Sequence, residues 1–139
     1  MALPRKLLWI DGLGGAVAGI AVLLARNWLS QWYRLPLNLV FLIGAVNLAY
    51  GSYSLSLAVR ARRPGILILL LVVANLTWAV CCLRWAALFA GTASWLGHAH
   101  LIIEGLYVGG LACLEWRWRE LLRVTSPNRD EDRMESLPK

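Results

Sequence analysis

Apolar positions gather into four long stretches separated by short polar breaks: Leu7 to Ala25, Leu35 to Val59, Ile66 to Leu83 and Ala99 to Leu114. None alternates apolar and polar at period two, which argues against membrane-barrel strands, each about 10 residues long. A hydrocarbon core takes roughly 20 residues of α-helix at a rise of about 1.5 Å per residue. Inside lipid, every backbone N–H and C=O has to be paired within its own segment, so the stretches predict helices. The expected architecture is all-α: an integral membrane bundle of four transmembrane helices with short connections, spanning 7–25, 35–59, 66–89 and 98–115. Short connections make successive helices antiparallel.

The breaks carry their own signals. Pro36 and Pro64 open the second and third helices, where a missing N–H costs little. Arg26 to Arg34 is expected as the first connection, its Trp28, Trp32 and Tyr33 suited to the headgroup boundary. The second connection is a basic turn from Ala61 to Gly65. The third surrounds Gly91 to Gly97 and includes Trp95, with Arg84 snorkelling from the outer end of the third helix. After Leu114 the character changes. Glu115 to Val124 mixes Trp116, Trp118, Leu121 and Leu122 with Arg117, Arg119 and Arg123, as in an interfacial end lying on the membrane surface. Residues 1–124 therefore form one membrane domain, and 125–139 a disordered cytoplasmic tail. The first stretch is expected as a retained helix, because its apolar run exceeds the 7–15 residues usual for a signal peptide and carries Asp11.

Composition supports the membrane assignment. Hydrophobic residues make up 59% of the 139 and charged residues 16%, against roughly 45–50% and 25% in soluble domains. The net charge of +6 raises the question of nucleic acid, and its distribution answers it. Arg5, Lys6, Arg60, Arg62, Arg63, Arg117, Arg119 and Arg123 fall on one side of the expected spans, and Arg26, Arg34 and Arg84 on the other. Such a bias is topological and places both termini in the cytoplasm. No nucleic-acid partner is expected. The bilayer itself is the first partner.

Function has to be sought among the polar residues inside the spans. A charged side chain at a helix centre costs on the order of 2.5–3.5 kcal/mol on insertion scales, so it should face protein or water. Asp11 lies about one turn inside the first helix and can reach the near interface, whereas Glu104 lies deeper on the fourth. His100, Glu104 and Tyr107 share a face at i, i+4 and i+7. Asn47 and Asn75 sit midway along the second and third helices, with Tyr50, Tyr53 and Ser54 just cytoplasmic of Asn47 and Trp78 just outward of Asn75. Facing inward, these residues would make a polar pocket with aromatic walls. The competing reading is structural: asparagines serve as interhelical glue, and Glu104 as a protonated acid bonded to a neighbouring helix. Gly15 and Gly19 form one GxxxG step and Gly105 and Gly109 another, fit for close helix contacts within the bundle or for a homodimer seam.

Motifs of catalysis are sparse. Cys81 and Cys82 are adjacent and diverge on a helix, Cys113 is solitary, and there is no CxxC pair. His98 and His100 form an HxH whose rings also diverge, so a metal would need a distorted helix end and a further ligand such as Glu104. No phosphate loop, nucleophile elbow or HExxH is present. No cofactor, metal or catalytic residue is assigned.

Asp11-Gly12 followed by Gly15 and Gly19, then Asn47-Leu-Ala-Tyr50-Gly51, resembles small bacterial four-helix integral membrane proteins, similar in plan to the DoxX-like group. The resemblance covers the bundle and implies a bacterial inner-membrane setting. Redox roles do not transfer, because paired cysteines are missing. Three classes of function stay open. The first is a non-enzymatic bundle that binds a hydrophobic small molecule or a membrane-protein partner. The second is a small proton-coupled exporter using Glu104 or Asp11. The third is a membrane enzyme acting on a lipid or isoprenoid, with Glu104 and His100 as its acid–base pair.

Overall fold

The computed structural model describes residues 3–60 and 64–122. Four long helices account for most of them: α1 (Leu3–Tyr33), α2 (Leu37–Val59), α3 (Gly65–Leu88) and α4 (Trp95–Arg117), followed by one short turn, α5 (Arg119–Leu122). All four long helices are long and apolar enough to cross a membrane. At a rise of about 1.5 Å per residue, the 23 residues of α2 extend about 35 Å, enough for a core of roughly 30 Å. The fold is an all-α four-helix bundle. Arg62, Arg63, Arg123 and the expected tail at 125–139 lie outside the described residues.

The first connection differs from expectation. Residues 26–33, expected as a loop, continue α1 to Tyr33. No proline or glycine interrupts the chain between Gly19 and Pro36, so nothing stops the helix earlier. Its end is a Schellman arrangement. Arg34 takes a left-handed φ of 51°. The Leu35 N–H returns to Ser30 O at 3.2 Å, and the Arg34 N–H to Gln31 O at 3.4 Å. Ser30 Oγ adds a bond to Leu35 O at 2.7 Å. Trp28 and Trp32 consequently stand one turn apart on a helix, with ring centroids 4.5 Å apart.

The third connection is tied to that same end. Ser94 caps α4, its Oγ accepting the Gly97 N–H at 3.2 Å, so the helix begins at Trp95, three residues before the expected start. Ser94 also donates its N–H to Tyr33 O at 2.8 Å and its Oγ–H to Trp32 O at 2.6 Å. A Cβ at Gly97 would stand 2.5 Å from Tyr33 O. The start of α4 is thereby seated directly on the end of α1.

Packing sorts the helices into two pairs, α1 with α2 and α3 with α4, and α1 also runs against α4. Small residues make the first seam. A Cβ at Gly19 would stand 2.5 Å from Leu48 N and 2.8 Å from Gly44 O. One at Gly15 would meet Asn47 O at 3.2 Å, and one at Gly51 would collide with the backbone of Ala16 and Gly12. The expected Gly15–Gly19 step is therefore an intramolecular seam with α2. Gly105 faces Leu83 and Ala79 O of α3, while Gly109 has only an ordinary 3.5 Å approach to Ala79 Cβ. Apolar clusters close both ends: Val22, Leu39, Val40, Ile43 and Leu101 at one, Leu8, Leu57, Ile68, Leu71 and Leu122 at the other.

The end of α4 also departs from expectation. Glu115, expected in the interfacial segment, is fully buried, and α4 continues past it to Arg117 before breaking at Trp118. Leu122 turns back into the core. Interfacial character remains at exposed side chains such as Trp116 and Leu121, and the Arg119 guanidinium lies 4.3 Å from the Trp116 ring centroid. Burying Leu122 outweighs leaving this turn on the surface, since a fully buried leucine gains roughly 1.5–3 kcal/mol.

Candidate functional site

Between the tightly seamed pairs, polar and aromatic side chains fill the space. They group around two acids of α4. Glu104 and Glu115 are 11 residues apart, close to three full turns, and so face the same way.

Glu104 is the better bonded. Its Oε1 accepts from Asn47 Nδ2 of α2 at 2.6 Å and from Trp78 Nε1 of α3 at 2.7 Å. Its Oε2 lies 3.0 Å from His100 Nε2 one turn earlier on α4. That approach falls off the axis of an aligned hydrogen bond and is a close polar contact. The other Asn47 amide hydrogen goes to Ile43 O at 3.0 Å. Three helices thus converge on one carboxyl group, whose side chain is 10% exposed. Tyr33 packs tilted against His100 at 5.1 Å, and Trp85 meets Trp78 edge-on at 5.4 Å.

One cavity borders this carboxyl and a second borders its partners Asn47 and Trp78. A cavity of about 240 Å³ between α1 and α4 is lined by Gly14, Ala18, Val22 and Ile103 and, on its polar side, by Asn47, His100, Glu104 and Tyr107. A second, of about 230 Å³, lies beyond Asn47 and Trp78 and is bounded by Tyr50, Asn75, Thr77 and Val108. Two more run along the outer side of α3 and α4; the one lined by Leu76, Ala112, Cys113 and Trp116 presents no polar surface.

Toward the other end, Asn75 Nδ2 donates to Glu115 Oε2 at 3.0 Å and to the Tyr50 hydroxyl. Tyr50 and Ser54 stand beside Asp11, and Ser54 Oγ donates to Leu8 O at 3.2 Å. Asp11 does not reach outward to the interface as expected. It is 2% exposed and turned into the bundle.

The residues singled out in the sequence therefore divide. Glu104, His100, Asn47 and Trp78 come together, and Tyr107 borders their cavity with its hydroxyl 3.4 Å from where a Gly14 Cβ would be. Asn75, Tyr50 and Asp11 belong to the other acid. Tyr53 belongs to neither, donating to Leu67 O at 3.1 Å. Glu115 went unnoticed as a site residue because arginine and tryptophan neighbours gave its segment an interfacial look. The signal that marks it is its 11-residue spacing from Glu104. Among the described residues, no group of three His, Cys, Asp or Glu side chains is arranged to hold a metal.

The chain matches no protein-family model, no curated protein and no solved structure. Its chemistry is to be read from this geometry.

Proposed function

We propose that this chain is a multi-pass protein of the bacterial inner membrane, with both termini cytoplasmic, that binds a small hydrophobic molecule bearing one hydrogen-bonding head group. The observation that carries the reading is the cavity between α1 and α4. Most of its wall is apolar, and the few polar groups converge at Glu104 and His100. Small-molecule sites have this composition, an apolar body with a few fixed polar anchors. Asn47 and Trp78 hold the carboxyl from behind, which leaves the oxygen facing His100 as the one a ligand head group would engage. The basic bias supports the orientation, and the bilayer remains the first partner.

Benzylamine, with toluene as its apolar isostere, is a suitable probe, read by tryptophan fluorescence against a Trp78→Phe baseline. Benzylamine is expected to produce a saturable change. Glu104→Gln keeps the side-chain shape and should lower benzylamine affinity about tenfold, equivalent to about 1.4 kcal/mol, while leaving toluene unaffected. Gly14→Leu fills the cavity without entering the α1–α2 seam and should abolish both responses. A change that never saturates, or one indifferent to Gly14→Leu, sinks the reading.

Glu104 also supports proton-coupled export as a second reading, because it is the carboxyl that lines this cavity. Efflux of benzylamine from proteoliposomes driven by a pH gradient and abolished by Glu104→Gln would favour that reading over simple binding.

A further inference from the structure

The acid pair at the other end of the bundle is not used by the ligand reading. Asp11 is 2% exposed and Glu115 0%. Each keeps one carboxyl oxygen without a hydrogen-bond partner, Asp11 Oδ2 and Glu115 Oε1. Among the described residues, the groups bonded to them or set against them are neutral donors and acceptors. Asn75 bonds Glu115 and Tyr50, Tyr50 lies against both acids, and Ser54 lies against Asp11. Of the titratable groups facing the pair, α2 supplies Tyr50 and α4 supplies Tyr107, whereas α3 supplies the uncharged Asn75. Among the described residues, the contacts between basic and acidic side chains are His100 with Glu104 and Arg119 with Glu120, so no basic side chain is paired with Asp11 or Glu115.

Two carboxylates cannot remain ionised together under these conditions. Each unpaired buried charge costs several kcal/mol, and like charges sharing a site leave one of the two groups protonated. With both groups sealed by protein, the ligand that neutralises one of them and relieves their repulsion has to be very small.

We propose that Asp11 and Glu115 form a proton-binding site in the membrane domain, with one proton held on an otherwise unpartnered carboxyl oxygen and the other carboxyl kept as an anion. Asn75 and the Tyr50 hydroxyl supply the neutral surroundings in which that single negative charge is tolerated. Asn47 and Tyr50 are three residues apart on α2, and Asn75 and Trp78 are three apart on α3. The same two helix faces therefore hold this site and Glu104, although the proposal stands without the ligand reading.

Infrared spectroscopy of the carboxyl region, in nanodiscs at neutral pH and on a Glu104→Gln background, tests it. Samples labelled with carboxyl-13C aspartate or glutamate identify which residue type carries each band. The expected result is one carboxylic-acid band per chain that moves with one of the labels and shifts in D2O. It should be lost in Asp11→Asn/Glu115→Gln and be the same in sodium and choline buffers. A protein with no acid band in either labelled sample overturns the proposal, and this needs no folded double variant. A band that survives the double substitution overturns it too. So does a band that appears only when sodium is replaced by choline, since a metal cation would then be the ligand.

Discussion

At the scale of single residues, the bonding of Glu104 shows how a carboxyl group is kept inside a membrane domain. Its oxygens face an amide, an indole and an imidazole from three helices, so Oε1 has two donors in place of water and Oε2 lies beside the imidazole. Trp78 is the most informative of the three. Its indole N–H has a 2.7 Å bond to Oε1, and the ring also fills the space between the helix pairs. Trp78→Phe keeps most of the ring and removes the donor. It is expected to cost about 1.5–3 kcal/mol, the range for hydrogen bonds to charged groups, and to lower the thermal midpoint in detergent. A midpoint equal to that of the native protein would show that the carboxyl does not depend on the indole.

At the scale of elements, the α1–α2 seam and the end of α1 make separate predictions. Gly19→Ala should push the two helices apart, because the added carbon meets backbone atoms of Leu48 and Gly44, which cannot rotate away. Overpacking of this kind costs about 1–3 kcal/mol. Gly109→Ala is the internal control. Its Cβ would find ordinary contact, so the better helix propensity of alanine should leave stability equal or raised by up to about 1 kcal/mol. Equal unfolding midpoints for the two variants would remove the seam from the account. Arg34 offers the opposite test. It holds a left-handed φ that costs an L-residue roughly 1–2 kcal/mol, so Arg34→Gly should raise the midpoint. A lowered midpoint would mean that the arginine side chain contributes more than its backbone costs.

For the whole molecule, the consequence of the pairing is a bundle with a tight glycine-lined seam between α1 and α2, a looser one between α3 and α4, and a polar, cavity-containing layer between the pairs. The proposed orientation in the bilayer rests on the distribution of charge. Reporter fusions at Lys139 and within residues 90–93 should report opposite sides, with the Lys139 fusion cytoplasmic. Equal signals from both sides at either position would mean that the chain inserts in two orientations. The sites at Glu104 and at Asp11 with Glu115 would then face opposite ways in different copies.

The apolar stretches determined the helix count and the all-α class, because their backbone groups are most readily paired within helices and four such stretches leave little else to fold. Pro36 and Pro64 likewise marked the starts of α2 and α3 in the sequence itself. The candidate cluster was legible to the extent that depth along a helix can be counted, which brought Asn47 and Trp78 to the level of Glu104. Partner choice was not legible. Whether Asn75 served Glu104 or Glu115 depended on how α3 and α4 rotate against one another, and their close approach is at Gly105, which faces Leu83 and Ala79 O. The continuation of α1 to Tyr33 and the burial of Glu115 were also tertiary decisions. Aromatic and basic residues suit a headgroup boundary and a helix end equally well, and only the seat offered by Ser94 to α1, and by the core to Leu122, chose between them.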